Sequence, residues 1–254
     1  MKSILPWVNI LTVMAALIVN GLANALPLNG QTTGAISDRF KVFFVPAGYV
    51  FAIWGVIYLG WIAFSVYQAL PAQRDQPRLH RIGWLFALSN LANASWLFTW
   101  HYELIPLSAV VMLGLLVLLI TIYVRLDIGR ARVAPIEKWC VDILFSIYLG
   151  WISVATIANL TDLLYYWNWD GFGAAPQAWA VIMLIAASAL SLTIALTRAD
   201  VAFLLVIVWA LAGIAIKQAA APVVANAAWL MTALVALMIP LSIWQHRRNT
   251  VRAR

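Results

Sequence analysis

The sequence predicts an all-α membrane protein, a polytopic helical bundle of about eight transmembrane helices. Three observations carry that prediction. The chain of 254 residues is 65% hydrophobic and only 10% charged, whereas a water-soluble domain carries roughly 25% charge and about half apolar residues. The apolar residues fall into eight runs of about the length a bilayer requires, about twenty residues each. The basic residues fall between and after those runs, as orientation in a membrane requires.

The first run, about 5–25, follows Lys2 and superficially resembles a signal peptide. It is long enough to span and carries Asn9, Asn20 and Asn24, so it reads as an uncleaved first helix. The others are about 44–69, 82–101, 105–124, 139–163, 176–197, 200–217 and 223–244. The short His-Tyr-Glu-Leu link before Pro106 makes the third and fourth an antiparallel hairpin, and the link Arg198–Asp200 is shorter still. No segment outside the runs is long enough to be a soluble domain.

Charge orients the bundle. Assigning the connecting segments alternately to two sides puts 13 Lys and Arg on the side of both termini, and only Arg39, Lys41 and Lys217 on the other. The positive-inside rule then places both termini in the cytoplasm of a bacterial-type plasma (inner) membrane. The segment 164–175 holds Trp167 and Trp169 but no Lys or Arg, and reads as an outer interfacial loop. The net charge of +7 is accounted for by this bias, so no nucleic-acid partner is expected.

The chemistry-bearing residues are sparse. Cys140 is the sole cysteine and reads as a packing residue. His80, His101 and His246 lie far apart, with no metal-ligand spacing. No nucleophile–base pair or paired carboxylates appear, so no catalytic residues and no obligatory cofactor are assigned. His101, at the outer end of the third run, reads as a solvated helix-end residue, against the rival readings of a pocket-mouth group or an iron ligand.

Polar and aromatic residues within the runs share faces, at 100° per residue. Asn9, Asn20 and Asn24 share a sector of the first. Phe51, Trp54, Tyr58, Trp61 and Ser65 form a stripe on the second, Asn90, Asn93, Trp96 and Trp100 on the third, and Tyr148, Trp151, Ala155, Asn159 and Asp162 on the fifth. Packing alone accounts for many such residues, since Asn joins helices and Trp anchors interfaces. Trp7, Trp139, Trp167, Trp169 and Trp244 fit the anchor reading. Trp54, Trp96 and Trp151 share faces with amides and suit the walls of a cavity for a flat, mostly apolar ligand.

The segments PAGYVFAIWGVIY (46–58), NASWLF (93–98) and YLGWISVATIAN (148–159) resemble the tryptophan-rich sensory protein (TspO/MBR) family, which includes the mitochondrial translocator protein, or peripheral benzodiazepine receptor. The overlap covers about residues 1–165. The family's second helix opens Pro-Pro-Gly-Trp-Val-Phe; here Ala47 and Tyr49 replace the second Pro and the Trp, and the spacing from Phe51 to Trp54 is one residue shorter. The resemblance implies a TspO-like five-helix bundle over 1–170, with 171–254 as a three-helix C-terminal extension and basic tail. It implies a cavity for a porphyrin, haem or other tetrapyrrole, or a sterol-like molecule, held as ligand and not as obligatory cofactor. By that resemblance the ligand-binding residues are Trp54, Tyr58, Asn93, Trp96, Tyr148, Trp151, Ala155 and Asn159, with 26–43 as the lid.

The expected function is a receptor or sensor that binds such a ligand. Two alternatives stay open, a transporter of the same class of molecule and an enzyme that degrades porphyrin. Partners are the bilayer and the hydrophobic ligand, and a homodimer is also open. The orientation is directly testable: a reporter active only in the cytoplasm, fused after Arg254, is expected to be active, and a reporter found outside refutes the scheme.

Overall fold

The computed structural model describes residues 4–26 and 28–252; Lys2 and Arg254 lie outside the described residues, as do the side chains of Asn24, His246, Arg247, Arg248 and Arg252. Eight long helices form at the eight expected places: α1 (Leu5–Ala25), α2 (Ile53–Ala69), α3 (Leu85–His101), α4 (Ile105–Arg125), α5 (Ile143–Tyr166), α6 (Pro176–Arg198), α7 (Val201–Lys217) and α8 (Pro222–Arg252). No β-strand occurs among the described residues.

Proline sets many of the starts. It stands at or beside the first position of α1, α4 and α6, in the turn leading into α5, and at the first residue of α8. There its missing N–H costs nothing and its fixed φ suits the helix. The terse link at 198–200 also resolves. Ala199 ends α6 in the left-handed region, and the Asp200 carboxylate accepts from the backbone N–H of Ala202 and Phe203 to cap α7. Two helices form there, not one.

Six segments are long and apolar enough to cross a bilayer: Leu5–Ala23, Gly48–Ala69, Ile105–Arg125, Pro135–Tyr166, Pro176–Arg198 and Pro222–Trp244; Val201–Lys217 is apolar but shorter. Of the eight expected spans, α3 differs most. It begins at Leu85 and has 17 residues, about 26 Å at 1.5 Å per residue. It also carries Ser89, Asn90, Asn93, Thr99 and His101, all buried. Protein, not lipid, surrounds those groups, as polar side chains at membrane depth require.

The chain packs as two compact units. Unit 1 comprises residues 1–40 and 53–152, and unit 2 residues 41–52 and 153–254, so α5 contributes its first part to one and its remainder to the other. In unit 1, α3 and α4 form the expected hairpin, and α1 packs on α2 and α3. Phe64, Phe86 and Phe145 meet edge to face at 4.7–5.6 Å. A π-helical turn, Lys138–Asp142, leads into α5. It is bolted by Arg78, whose guanidinium donates to Glu137 Oε1 and Asp142 Oδ1, both at 2.6 Å, and to the carbonyl of Leu126. Gln76 donates to the other Glu137 oxygen.

In unit 2, α6, α7 and α8 pack on one another, and the segment 41–52 lies against α7. Ala47 N–H donates to Gly213 O, Trp209 Nε1 to Val50 O and Gln218 Nε2 to Phe43 O. Gly213 is required there: a Cβ would run into the side chain of Val50. Four of the expected interfacial tryptophans, Trp7, Trp139, Trp167 and Trp244, are each more than half exposed. Trp169 instead packs against Phe172 and Trp179.

Removing the Arg78 charge leaves two carboxylates buried without their counter-ion. Arg78→Met is expected to destabilise the protein by about 3–5 kcal/mol, seen as a lowered unfolding temperature in detergent. The triple variant R78M/E137Q/D142N is expected to recover much of that loss, because it leaves no buried charge unpaired.

Candidate functional site

The apolar stripe of α2 meets the aromatic face of α5 inside unit 1. Trp54 and Tyr58 stack at 5.7 Å, and Trp54 lies 6.2 Å from Tyr148 and 6.4 Å from Trp151, both edge to face. Trp61 sits at the centre, 5.5 Å from both Tyr58 and Tyr148. Trp61 and Tyr148 are fully buried and Trp151 nearly so, whereas Trp54 and Tyr58 are half-buried. The result is a cage with a sealed floor and two aromatic residues on its accessible side. Such ring pairs contribute about 0.5–1.5 kcal/mol each beyond their buried area.

One polar chain enters this apolar wall. Tyr58 Oη donates to Asn20 Oδ1 at 2.8 Å, and Asn20 Nδ2 donates to Asn93 Oδ1 at 2.8 Å and to the carbonyl of Ala16. Asn20 and Asn93 are both buried. Asn93 Nδ2 and the Tyr148 hydroxyl face one another without hydrogen-bond geometry between them. The indole N–H of Trp61 is likewise buried without an acceptor.

The structure therefore gathers Trp54, Tyr58, Tyr148 and Trp151 in one cluster, and joins Asn93 to it through Asn20. Trp96 is buried near Asn93 on α3 and stacks on Trp100 at 5.6 Å. Ala155 and Asn159 lie farther along α5, in the part that belongs to unit 2. Sequence reasoning placed Trp61 and Asn20 on shared faces but did not assign them to the site. Their spacing was the available signal, since Trp61 follows Tyr58 by three residues and Trp54 by seven.

The segment 28–40 is fastened over the end of α3. Its anchor is His101, which is fully buried, so the expected solvated helix-end histidine is corrected. Nδ1 lies 3.1 Å from Leu28 O, and Nε2 lies 3.0 Å from Thr33 Oγ1. A carbonyl only accepts, so Nδ1 carries a proton, and in the neutral ring Nε2 accepts from the threonine hydroxyl. Both nitrogens are thereby engaged, which leaves none for iron. Asn29 Nδ2 donates to His101 O, and Trp100 Nε1 to Thr33 O. Outside these, Arg39 pairs with Glu103 at 2.9 Å and Gln31 Nε2 donates to the same carboxylate. Among the described residues no three His, Cys, Asp or Glu converge as a metal site.

The hydrogen bonds from Arg39 and Gln31 hold the Glu103 carboxyl below its usual pKa. A lowered folded-state value means that this fastening is present above the unfolded carboxyl pKa and is lost as pH falls through the folded one. Both partners are nearly half exposed, so the effect is modest and weakens with salt. Amide exchange across 28–40, corrected for intrinsic rates, is expected to quicken below about pH 4.3, the ordinary glutamate range. Glu103→Gln should quicken it already at pH 7.

A family model described as TSPO-like protein matches residues 6–241. No curated protein and no solved structure gives a match.

Proposed function

The chain belongs to the TSPO-like protein family, and we propose that within this family it acts as a membrane receptor for a flat, hydrophobic ligand of the porphyrin type. The observation that carries the proposal is the cage on α2 and α5. Its accessible side is made of Trp54 and Tyr58, and its polar groups are few: the Tyr58–Asn20–Asn93 chain, the Tyr148 hydroxyl and indole N–H groups such as that of Trp61. Broad aromatic faces with a few fixed polar groups suit a large conjugated ring. In this reading Trp54 and Tyr58 stack on the ligand, Trp151 and Tyr148 form the wall behind them, and Trp61 and Asn20 hold those walls in place. Trp96, through its stack on Trp100, supports the fastened segment 28–40.

Transport is a second reading, favoured by one observation. Asp162 is buried on α5, and among the described residues its Oδ1 has no hydrogen-bond partner. A buried carboxylate within a span is a common element of ion and substrate pathways. Uptake of porphyrin into sealed proteoliposomes separates transport from binding alone.

Titrating purified protein with protoporphyrin IX is expected to quench tryptophan fluorescence and shift the porphyrin absorbance band. Trp54→Leu should weaken binding by about tenfold, on the order of 1.4 kcal/mol; because it also removes the ring contacts with Tyr58, Tyr148 and Trp151, it should lower the unfolding temperature, so binding is compared where both proteins are folded. No quenching and no shift at saturating porphyrin would sink the proposal.

A further inference from the structure

A groove of about 430 Å³ runs between α1 and α2 in unit 1 and, unlike the cage, has no aromatic residue in its lining: Ile10, Val13, Met14 and Leu17 form one wall, and Ile62, Val66 and Leu70 the other. Its volume lies in the range of small-molecule sites. Its rim is open, since Met14, Ile62, Val66 and Leu70 are all more than 40% exposed, whereas Val13 on its floor is buried. Among its lining residues Ser65 alone has a polar side chain. Ser65 is 7% exposed, and among the described residues its Oγ has no hydrogen-bond partner. A buried hydroxyl without a partner is costly in an apolar setting, and Ser65 lines a groove whose occupant would supply one.

The groove ends beside a cation. Arg74 Nε donates at 2.9 Å to the carbonyl of Ala69, itself a lining residue, which fixes the guanidinium at the groove mouth. Among the described residues no other partner engages its terminal nitrogens. Four residues separate Ser65 from Ala69, about 6 Å along the helix. A cation at the mouth, a hydroxyl slightly deeper and an apolar trough beyond match a phospholipid's phosphate, ester carbonyl and acyl chain in order.

We propose that this groove is a specific site for an anionic phospholipid: the phosphate binds Arg74, an ester carbonyl accepts from Ser65 Oγ, and one acyl chain lies between α1 and α2. Basic residues at the mouths of interhelical grooves are a recurrent means of holding acidic lipid head groups.

The test is native mass spectrometry of the full-length protein in detergent, titrated with palmitoyl-oleoyl phosphatidylglycerol, with the phosphatidylcholine of the same chains, and with palmitate. The glycerol lipid is expected to bind most tightly. Arg74→Gln should weaken it about fivefold, the effect of one basic residue near anionic lipid, and bring it level with the choline lipid. Met14→Trp, which fills the groove from its exposed rim, should weaken both phospholipids. Equal binding of the two phospholipids by the unaltered protein overturns the head-group assignment. Retention of full affinity by Met14→Trp overturns the groove itself, and palmitate matching the glycerol lipid overturns the phospholipid assignment, because a carboxylate and one chain would then suffice without a phosphate or an ester carbonyl. Each variant is compared at an unchanged unfolding temperature, and Met14→Leu serves as the conservative control expected to bind as the unaltered protein does.

Discussion

Unit 1 depends on a single amide. Asn20 accepts from Tyr58 on α2, donates to Asn93 on α3 and donates to its own helix at Ala16. One buried side chain thus ties three helices together. In hydrocarbon, apolar surfaces have no hydrophobic reason to prefer each other over lipid, so such hydrogen bonds and close packing fix which helix faces meet. The aromatic cage inherits its position from this tie, because Tyr58 is at once a hydrogen-bond donor to Asn20 and a stacking partner of Trp54. The same logic recurs along α1: Asn9 donates to Gln68, and Asn90 to Thr12.

The helices were legible because their signals are local. Apolar length fixed where they lie, and proline marked many of their starts. The link Arg198–Asp200 resolved through equally local chemistry, a left-handed residue followed by an aspartate cap. The contributions of distant partners were not legible. His101 looks solvated from its neighbours alone. It is buried because Leu28 and Thr33, about seventy residues earlier, close on both ring nitrogens. Likewise Arg78 reads as one more basic loop residue, yet it is locked between Glu137 and Asp142. The polar content of α3 was visible, but that this content is buried by α1 follows only from the packing.

The candidate site was legible in part. Face periodicity correctly grouped Trp54 with Tyr58 and Tyr148 with Trp151, because residues three and four apart share a helix face. It could not join the two faces, since nothing in either run specifies the other. It placed Trp61 and Asn20 on shared faces but gave no reason to assign them to the site, because both are buried and act by holding their neighbours. The family match spans residues 6–241, beyond the 1–165 over which motifs were recognisable, so α6, α7 and most of α8 belong to the family pattern as well.

The segment 41–52 draws a different consequence from its seat on α7. Its partners Trp209 and Gln218 stand 159 and 175 residues downstream. At ribosomal rates of 5–20 residues per second, roughly 8–35 s of synthesis separate the segment from the helix it needs. For that interval it has only provisional neighbours. Its hydrogen-bond partners on and just after α7 exist only once the seventh helix has been made. The seat of 41–52 is thus completed from the far end of the chain backwards, by residues made long after the segment itself.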